Sequence, residues 1–315
     1  MVQKVLTGLI TLAAASVLLS DRGQATEAAA GRYIPGMYAA PGAGIVPPVP
    51  GTYWEVANVF YSGKAGGQIP FGGDNIAFGF NADIWGTALA GLYVPKLDLP
   101  GNWTYAVAAT IPVGWMGSSG TIANIRREKD VGGLGDIAIT PILLGWHNDA
   151  MNTFLSASFT VTAPTGEWER AIAFVGLNYW SFQPALGFTH LIPDHGIDVS
   201  AKLGVDINTR NDAANYYSGA MGHLDLAVTK TFANHLSIGA LAGFLYQFED
   251  DDSRFANTRS DGFKGRSIAV GALMKYEAHF SEKAIVEFAL RWAHELEVKN
   301  RMKGNALFFE ISGKF

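Results

Sequence analysis

The sequence predicts an all-β fold, a transmembrane antiparallel up-and-down β-barrel of about 12 strands behind an N-terminal signal peptide. Three observations predict it. The last eleven residues, 305–315, alternate strictly, with Leu307, Phe309, Ile311 and Phe315 on one face and Glu310, Ser312 and Lys314 on the other. The chain is 49% hydrophobic and 16% charged, yet beyond the N-terminus it holds no unbroken apolar run long enough for a membrane helix. The connections between alternating segments also sort by parity into short and long.

The N-terminus comes first. Lys4 is the only positive charge of a short leading region, residues 5–19 are apolar, and Gly23-Gln24-Ala25 offers small residues for cleavage. Residues 1–25 are therefore expected to be a signal peptide. Residues 26–52 are rich in Ala, Gly and Pro and follow no regular period. They also carry Tyr33, Ile34, Met37, Tyr38, Ile45 and Val46, too apolar for a solvated linker. This segment is expected either to lie inside the barrel as a partial plug or to hang free at its inner end.

Residues 53–315 are expected to form the barrel. Four segments alternate most clearly: 197–208, 236–249, 267–280 and 286–298. At helical period their charges would scatter around a cylinder; at period 2 they fall on one side. The softer segments are 53–61, 75–94, 103–113, 133–146, 153–163, 178–191 and 222–232, most of them long enough to cross a bilayer at a tilt. With 305–315 they make 12.

With the first strand starting inside, every second connection should be a short inner turn. Those at 95–102, 147–152, 192–196, 233–234 and 281–282 are short. The intervening ones, 62–74, 115–132, 164–177, 210–221 and 250–265, are longer and more polar or glycine-rich, and 299–304 is modest. A soluble sandwich has no reason to sort its loops this way.

The parity assigns Asp198, Lys202, Asp206, His223, Asp225, Lys275, Glu277, Glu287, Arg291 and Glu295 to the lumen, with Trp85, Tyr93 and Tyr179 on the same side. In a narrow barrel these charges should pair across strands, closing a hydrated interior or forming a constriction.

Other chemistry finds little support. The chain has no cysteine, which excludes disulfides, thiolate metal sites and cysteine nucleophiles. A net charge of −5 is no footprint for nucleic acid. The acidic run 249–252 reads as a solvated outer loop rather than a calcium site, and Gly132-Gly133-Leu134-Gly135-Asp136 lacks the ending of a phosphate loop. His190 and His294 fall on lipid faces with no serine motif beside them, so no catalytic residues, metal site or cofactor are expected.

Several motifs resemble one family. They are Ala163-Pro164-Thr165-Gly166-Glu167-Trp168, the run Gly176-Leu177-Asn178-Tyr179-Trp180-Ser181-Phe182-Gln183-Pro184, Arg32-Tyr33-Ile34-Pro35-Gly36 and Gly133-Leu134-Gly135-Asp136. Further matches are Asn208-Thr209-Arg210-Asn211, Ser218-Gly219 followed by His223 and Asp225, and Gln247 with 250–252. Together they resemble the outer-membrane transporters named for the MetA pathway of phenol degradation. Many relatives carry an acidic residue before the Tyr217-Ser218-Gly219 stretch, where this chain has Asn215-Tyr216.

The resemblance implies a monomeric barrel in the bacterial outer membrane, passing small hydrophobic or aromatic compounds bound for catabolism. Its expected partners are outer-membrane lipid, the small solute and the barrel-assembly machinery, which would read the strand ending in Phe315. Alternatives are a structural or lipid-handling barrel without transport, and a narrow general porin.

Overall fold

The computed structural model describes residues 31–71, 74–122, 125–168, 175–253, 257, 261–281 and 284–315. The expected signal peptide lies outside the described residues.

The strands are β1 (Gly51–Phe71), β2 (Asp74–Val94), β3 (Trp103–Ile122), β4 (Ile125–Leu134), β5 (Ala138–His147), β6 (Thr153–Thr162), β7 (Ser181–Ile192), β8 (Ile197–Asn208), β9 (Met221–Thr231), β10 (Leu236–Gln247), β11 (Arg266–Ser281), β12 (Ala284–Lys299) and β13 (Lys303–Lys314). A 3-10 turn, Pro193–His195, joins β7 to β8. Neighbours pair antiparallel all round, and the pairing of β1 with β13 closes the ring. The wall has 12 strands, because β4 and β5 are two parts of one. β5 pairs with β3 at Trp103–Thr110, and β4 pairs with β3 at Val113–Ile122. The expected strand 133–146 is thus interrupted at Gly135-Asp136-Ile137.

Closure pairs every strand on both edges except β4, as a sheet in hydrocarbon requires over its membrane-spanning part. Side-chain parity then gives the two faces different solvents. Along β8 to β10 the outward row includes Leu203, Ile207, Leu226, Val228 and Ile238, all exposed, while the alternate row holds buried Asp206, His223, Asp225 and Thr229. Such an apolar-out, polar-in cylinder suits a bilayer. The C-terminal strand follows the same rule: Leu307 faces out, while Ala306 and Phe308 are buried. Phe315 is 83% exposed beside Trp54, with ring centroids 6.2 Å apart.

Two expected outer loops are not loops. Residues of 62–74 extend β1 and β2, whose ladder runs from Gly51↔Val94 to Phe71↔Asp74. Residues of 115–132 extend β3 into the β3–β4 ladder. Their glycine and polar content resembles loop composition, yet Phe80, Ala82 and Met116 are buried on the inward face while Asn81 and Asp83 are exposed on the outward one. The expected start of β7 is also late, since residues 178–180 precede the strand at Ser181.

Residues 31–50 have no regular structure and run through the interior of the ring. The Tyr33 hydroxyl donates to Asp225 Oδ1 at 2.9 Å, as does the Gly36 amide at 2.9 Å. The Gly42 amide meets Asp198 Oδ2 and Ser200 Oγ, both at 3.0 Å, and the Gly44 amide meets Thr189 Oγ1 at 2.9 Å. Ile34, Met37 and Ala39 pack in the main hydrophobic cluster with Leu241, Leu273, Ala293 and Phe308 of the wall. The wall makes room for this strand-free chain. A Cβ on Gly243 of β10 would lie 2.2 Å from the Gly36 nitrogen, and one on Gly44 would lie 2.5 Å from the backbone of Phe188. Glycine is required where backbone meets backbone this closely.

Candidate functional site: the lumen and its wall seam

Eleven of the 13 residues assigned to the lumen line the interior or its inner rim. Tyr179 is 2% exposed, with the Arg32 guanidinium over its ring at 4.8 Å. Asp198 and Asp225 receive the amides of the interior segment. The Lys202 ammonium sits 4.0 Å from the centre of the Tyr38 ring, and Lys202 pairs in register with Asp225. Asp206 accepts from Gln183 Nε2 at 2.8 Å. His223 stacks on Tyr33 at 4.4 Å between centroids. Arg291, 2% exposed, pairs with Glu310, lies over the Phe308 ring and reaches the Gly36 carbonyl at 3.5 Å. Glu295 accepts from the Tyr61 hydroxyl at 2.8 Å, from Ser267 at 2.7 Å and from the Gly304 amide at 2.9 Å. Lys275 bridges Glu277 at 3.0 Å and Glu287 at 3.5 Å near the inner end. Buried charges of this kind survive when paired or hydrogen-bonded, as Asp198, Asp206, Asp225, Arg291 and Glu295 are.

Trp85 and Tyr93 face the other way, correcting their expected place in the lumen. Both are about half exposed, at 44% and 51%, and Trp85 stacks on outward Phe60 at 6.5 Å. The inward row of β2 is Ala82, Ile84, Gly86, Ala88 and Ala90, while Asn81, Asp83 and Thr87 share the outward row with the two aromatics. Polarity misleads here because β2 extends above the bilayer, where Asn81 and Asp83 meet water.

Those small inward residues leave space. A cavity of about 560 Å³ lies between the interior segment and the wall of β1–β6. Ile34, Met37 and Tyr38 bound it on one side, and Val59, Ile84, Ala88, Ala90, Val175 and Leu177 on the other. Thr110, Thr140, Thr160 and Thr162 form a hydroxyl row, with Thr140 and Thr160 bonded at 2.8 Å. Glu55, Lys202, Asp206 and Glu310 give it one charged end. An apolar pocket with a few convergent polar groups is how proteins commonly hold small organic molecules.

The same cavity abuts the weakest part of the wall. β4 pairs on one side only, with β3. Its other edge meets residues 163–168 and 175–180, and among the described residues two backbone hydrogen bonds cross beside the break, from the Glu167 amide to the Leu134 carbonyl at 2.8 Å and from the Ala163 amide to the Ile137 carbonyl at 2.9 Å. One buried carboxylate bridges the gap. Asp136 accepts from the Gly166 amide at 2.9 Å, the Leu177 amide at 2.8 Å and Arg32 at 2.8 Å. Arg32 also donates to Ser181 Oγ at 2.5 Å and to the Tyr179 carbonyl at 2.7 Å. Ser181 in turn donates to Asn208 Oδ1 at 2.6 Å. Arg32, Asp136, Gly166, Leu177, Tyr179, Ser181 and Asn208 therefore form one cluster tying the interior segment to both sides of the seam. The seam sits near the outer lipid boundary, in register with the outward pair Trp85 and Trp115 through Gly132.

Arg32, Asp136, Gln183 and Glu310 were absent from the candidate residues read by parity. Their signal lay elsewhere in the sequence, since Arg32, Asp136 and Gln183 belong to the quoted motifs. The acidic run behaves similarly. Asp251 is 2% exposed and accepts from the Gly219 amide at 2.9 Å and from Gln247 at 2.5 Å, while Tyr216 also bonds it. It anchors two outer loops together, rather than lying free in solvent as expected. On the outer surface His190 bonds Thr153 at 2.9 Å and His294 bonds Asn305 at 3.0 Å.

Comparison with known proteins agrees with this geometry. The COG4313 outer membrane channel from Pseudomonas putida F1 superposes with a TM-score of 0.65 at 18% identity, covering 90% of this chain and 100% of its own. At that identity the likeness shows the fold. A Pseudomonas aeruginosa FadL homologue gives a TM-score of 0.47 at 10% identity, covering 94% of this chain and 99% of its own. The transport unit of the autotransporter AIDA-I from Escherichia coli gives 0.49 at 11%, covering 84% and 90%. No curated protein sequence matches the chain. The protein is a barrel of the bacterial outer membrane. With the family model matched over residues 65–311, the chain belongs to the family described as "Putative MetA-pathway of phenol degradation".

Proposed function

We propose that this channel takes up small hydrophobic or aromatic compounds passively, as a monomer, delivering them for catabolism. The observation that carries the reading is the cavity of about 560 Å³ lying against a wall seam with two backbone bonds among the described residues. The interior segment fills the axis of the barrel, where a hydrophilic solute would otherwise travel. An apolar solute has a second route, through the wall into or out of lipid, and it loses no hydration on taking it. The seam has few backbone bonds to break, each contributing roughly 0.5–1.5 kcal/mol where neighbouring strands share many, so its opening turns on release of the Asp136 cluster. No energy source is needed while enzymes downstream consume the solute. Assembly is expected to use the β13 end with its exposed Phe315.

The absence of cysteine from the chain makes the test clean. Gly133→Cys with Glu167→Cys places facing thiols across the seam, since a Cβ on Gly133 would lie 3.2 Å from the Glu167 Cβ. Oxidising the pair is expected to cut uptake of a labelled aromatic several-fold, and reduction is expected to restore it. Uptake indifferent to the oxidation state would remove the seam from the route.

A further inference from the structure

We propose a transition-metal site at the inner mouth of the barrel, formed by His235, Glu277 and His279. His235 closes the β9–β10 turn, and Glu277 and His279 lie on the adjacent β11 near its inner end. Their ligand atoms all fall within 4.8 Å of one another. The two imidazoles are 4.4 Å apart between centroids, and His279 Nε2 is 3.9 Å from Glu277 Oε2. The backbone brings the turn onto the strand, because the Glu277 amide donates to the His235 carbonyl at 3.2 Å.

The surrounding charges suit a divalent cation. Lys275 holds the other carboxylate oxygen, Glu277 Oε1, at 3.0 Å and so orients Oε2 toward the rings. Glu287, paired in register with Glu277, adds a second negative charge within reach of Lys275. A metal-binding carboxylate held by an outer hydrogen bond is the usual supporting arrangement. Two imidazole nitrogens and one carboxylate oxygen select a borderline metal such as zinc or copper over calcium or magnesium, which prefer all-oxygen sets. Tetrahedral zinc binds at about 2.0–2.1 Å, so small rotations of two exposed rings would complete three ligands and leave water a fourth position. His235 and His279 are exposed at the mouth and open to periplasmic metal. A bound ion would fasten the β9–β10 turn to β11 and place positive charge at the inner opening.

The test uses the full barrel without a histidine tag, folded in detergent. Zinc chloride titrated by calorimetry is expected to bind one equivalent, and copper is expected to give an electron paramagnetic resonance signal from two imidazole nitrogens. Loss of a supporting outer partner alone weakens metal sites about 10–100-fold, so His235→Ala or His279→Ala is expected to weaken zinc at least as much. Heat-modifiable gel mobility confirms that each variant is folded, and His279→Gln serves if the alanine variant is not. Stoichiometric zinc binding that survives both substitutions would place the metal on another histidine and overturn the proposal. So would the absence of binding.

Discussion

At the scale of single residues, the interior is a set of buried charges that each answer to a named partner. Asp136 is the clearest case, with one guanidinium and two amides on a side chain 3% exposed. Removing one member of a buried, paired set costs about 3–5 kcal/mol, because the rest stay desolvated. Asp136→Ala is therefore expected to lower the temperature at which the barrel loses its heat-modifiable mobility. A variant as heat-resistant as the parent would deny Asp136 its structural role. Most lumen residues were readable from alternation, since a charge on an otherwise apolar strand must point inward. Trp85 and Tyr93 were not, because the described inward row of β2, Ala82, Ile84, Gly86, Ala88 and Ala90, carries no charge, while Asn81 and Asp83 stand outward. Residue size, rather than polarity, marks the lumen there. Arg32 was also hidden, since a segment without periodicity has no parity to read.

At the scale of elements, the N-terminal segment decides what kind of channel this is. Prolines and glycines keep residues 31–50 from joining the sheet, and the amides they leave unpaired are met by Asp225, Asp198, Ser200 and Thr189 of the wall. The sequence left open whether the segment entered the barrel, because a stretch without periodicity could equally have hung free as a tail at the inner end. Contact with the wall depends on Gly243. Gly243→Leu would force Pro35 and Gly36 away from β10, and liposomes carrying that variant are expected to swell in small sugars where the parent swells little. Equal swelling would mean that the segment does not limit passage along the axis. Elsewhere the broken β4–β5 strand could not be seen in the sequence, because Gly135-Asp136 reads as strand in one dimension. Its meaning appears only when Asp136 meets Gly166 and Leu177 across the seam.

At the scale of the whole molecule, closure of the ring was legible from connection parity. That pattern follows from a bilayer and has no cause in water. Strand length was less legible, since a hairpin standing above the membrane shares the composition of a loop. The account joins these scales into one route: an apolar solute enters from the outer membrane region, rests in the cavity beside the interior segment, and leaves without crossing an open aqueous pore. The most direct measurement is the initial rate of uptake of a radiolabelled aromatic compound, at scarce concentration, by cells with and without the protein. The account predicts a several-fold faster rate with the protein and an unchanged rate for a small sugar. Equal aromatic rates, from cells in which the barrel is present and folded, would contradict it.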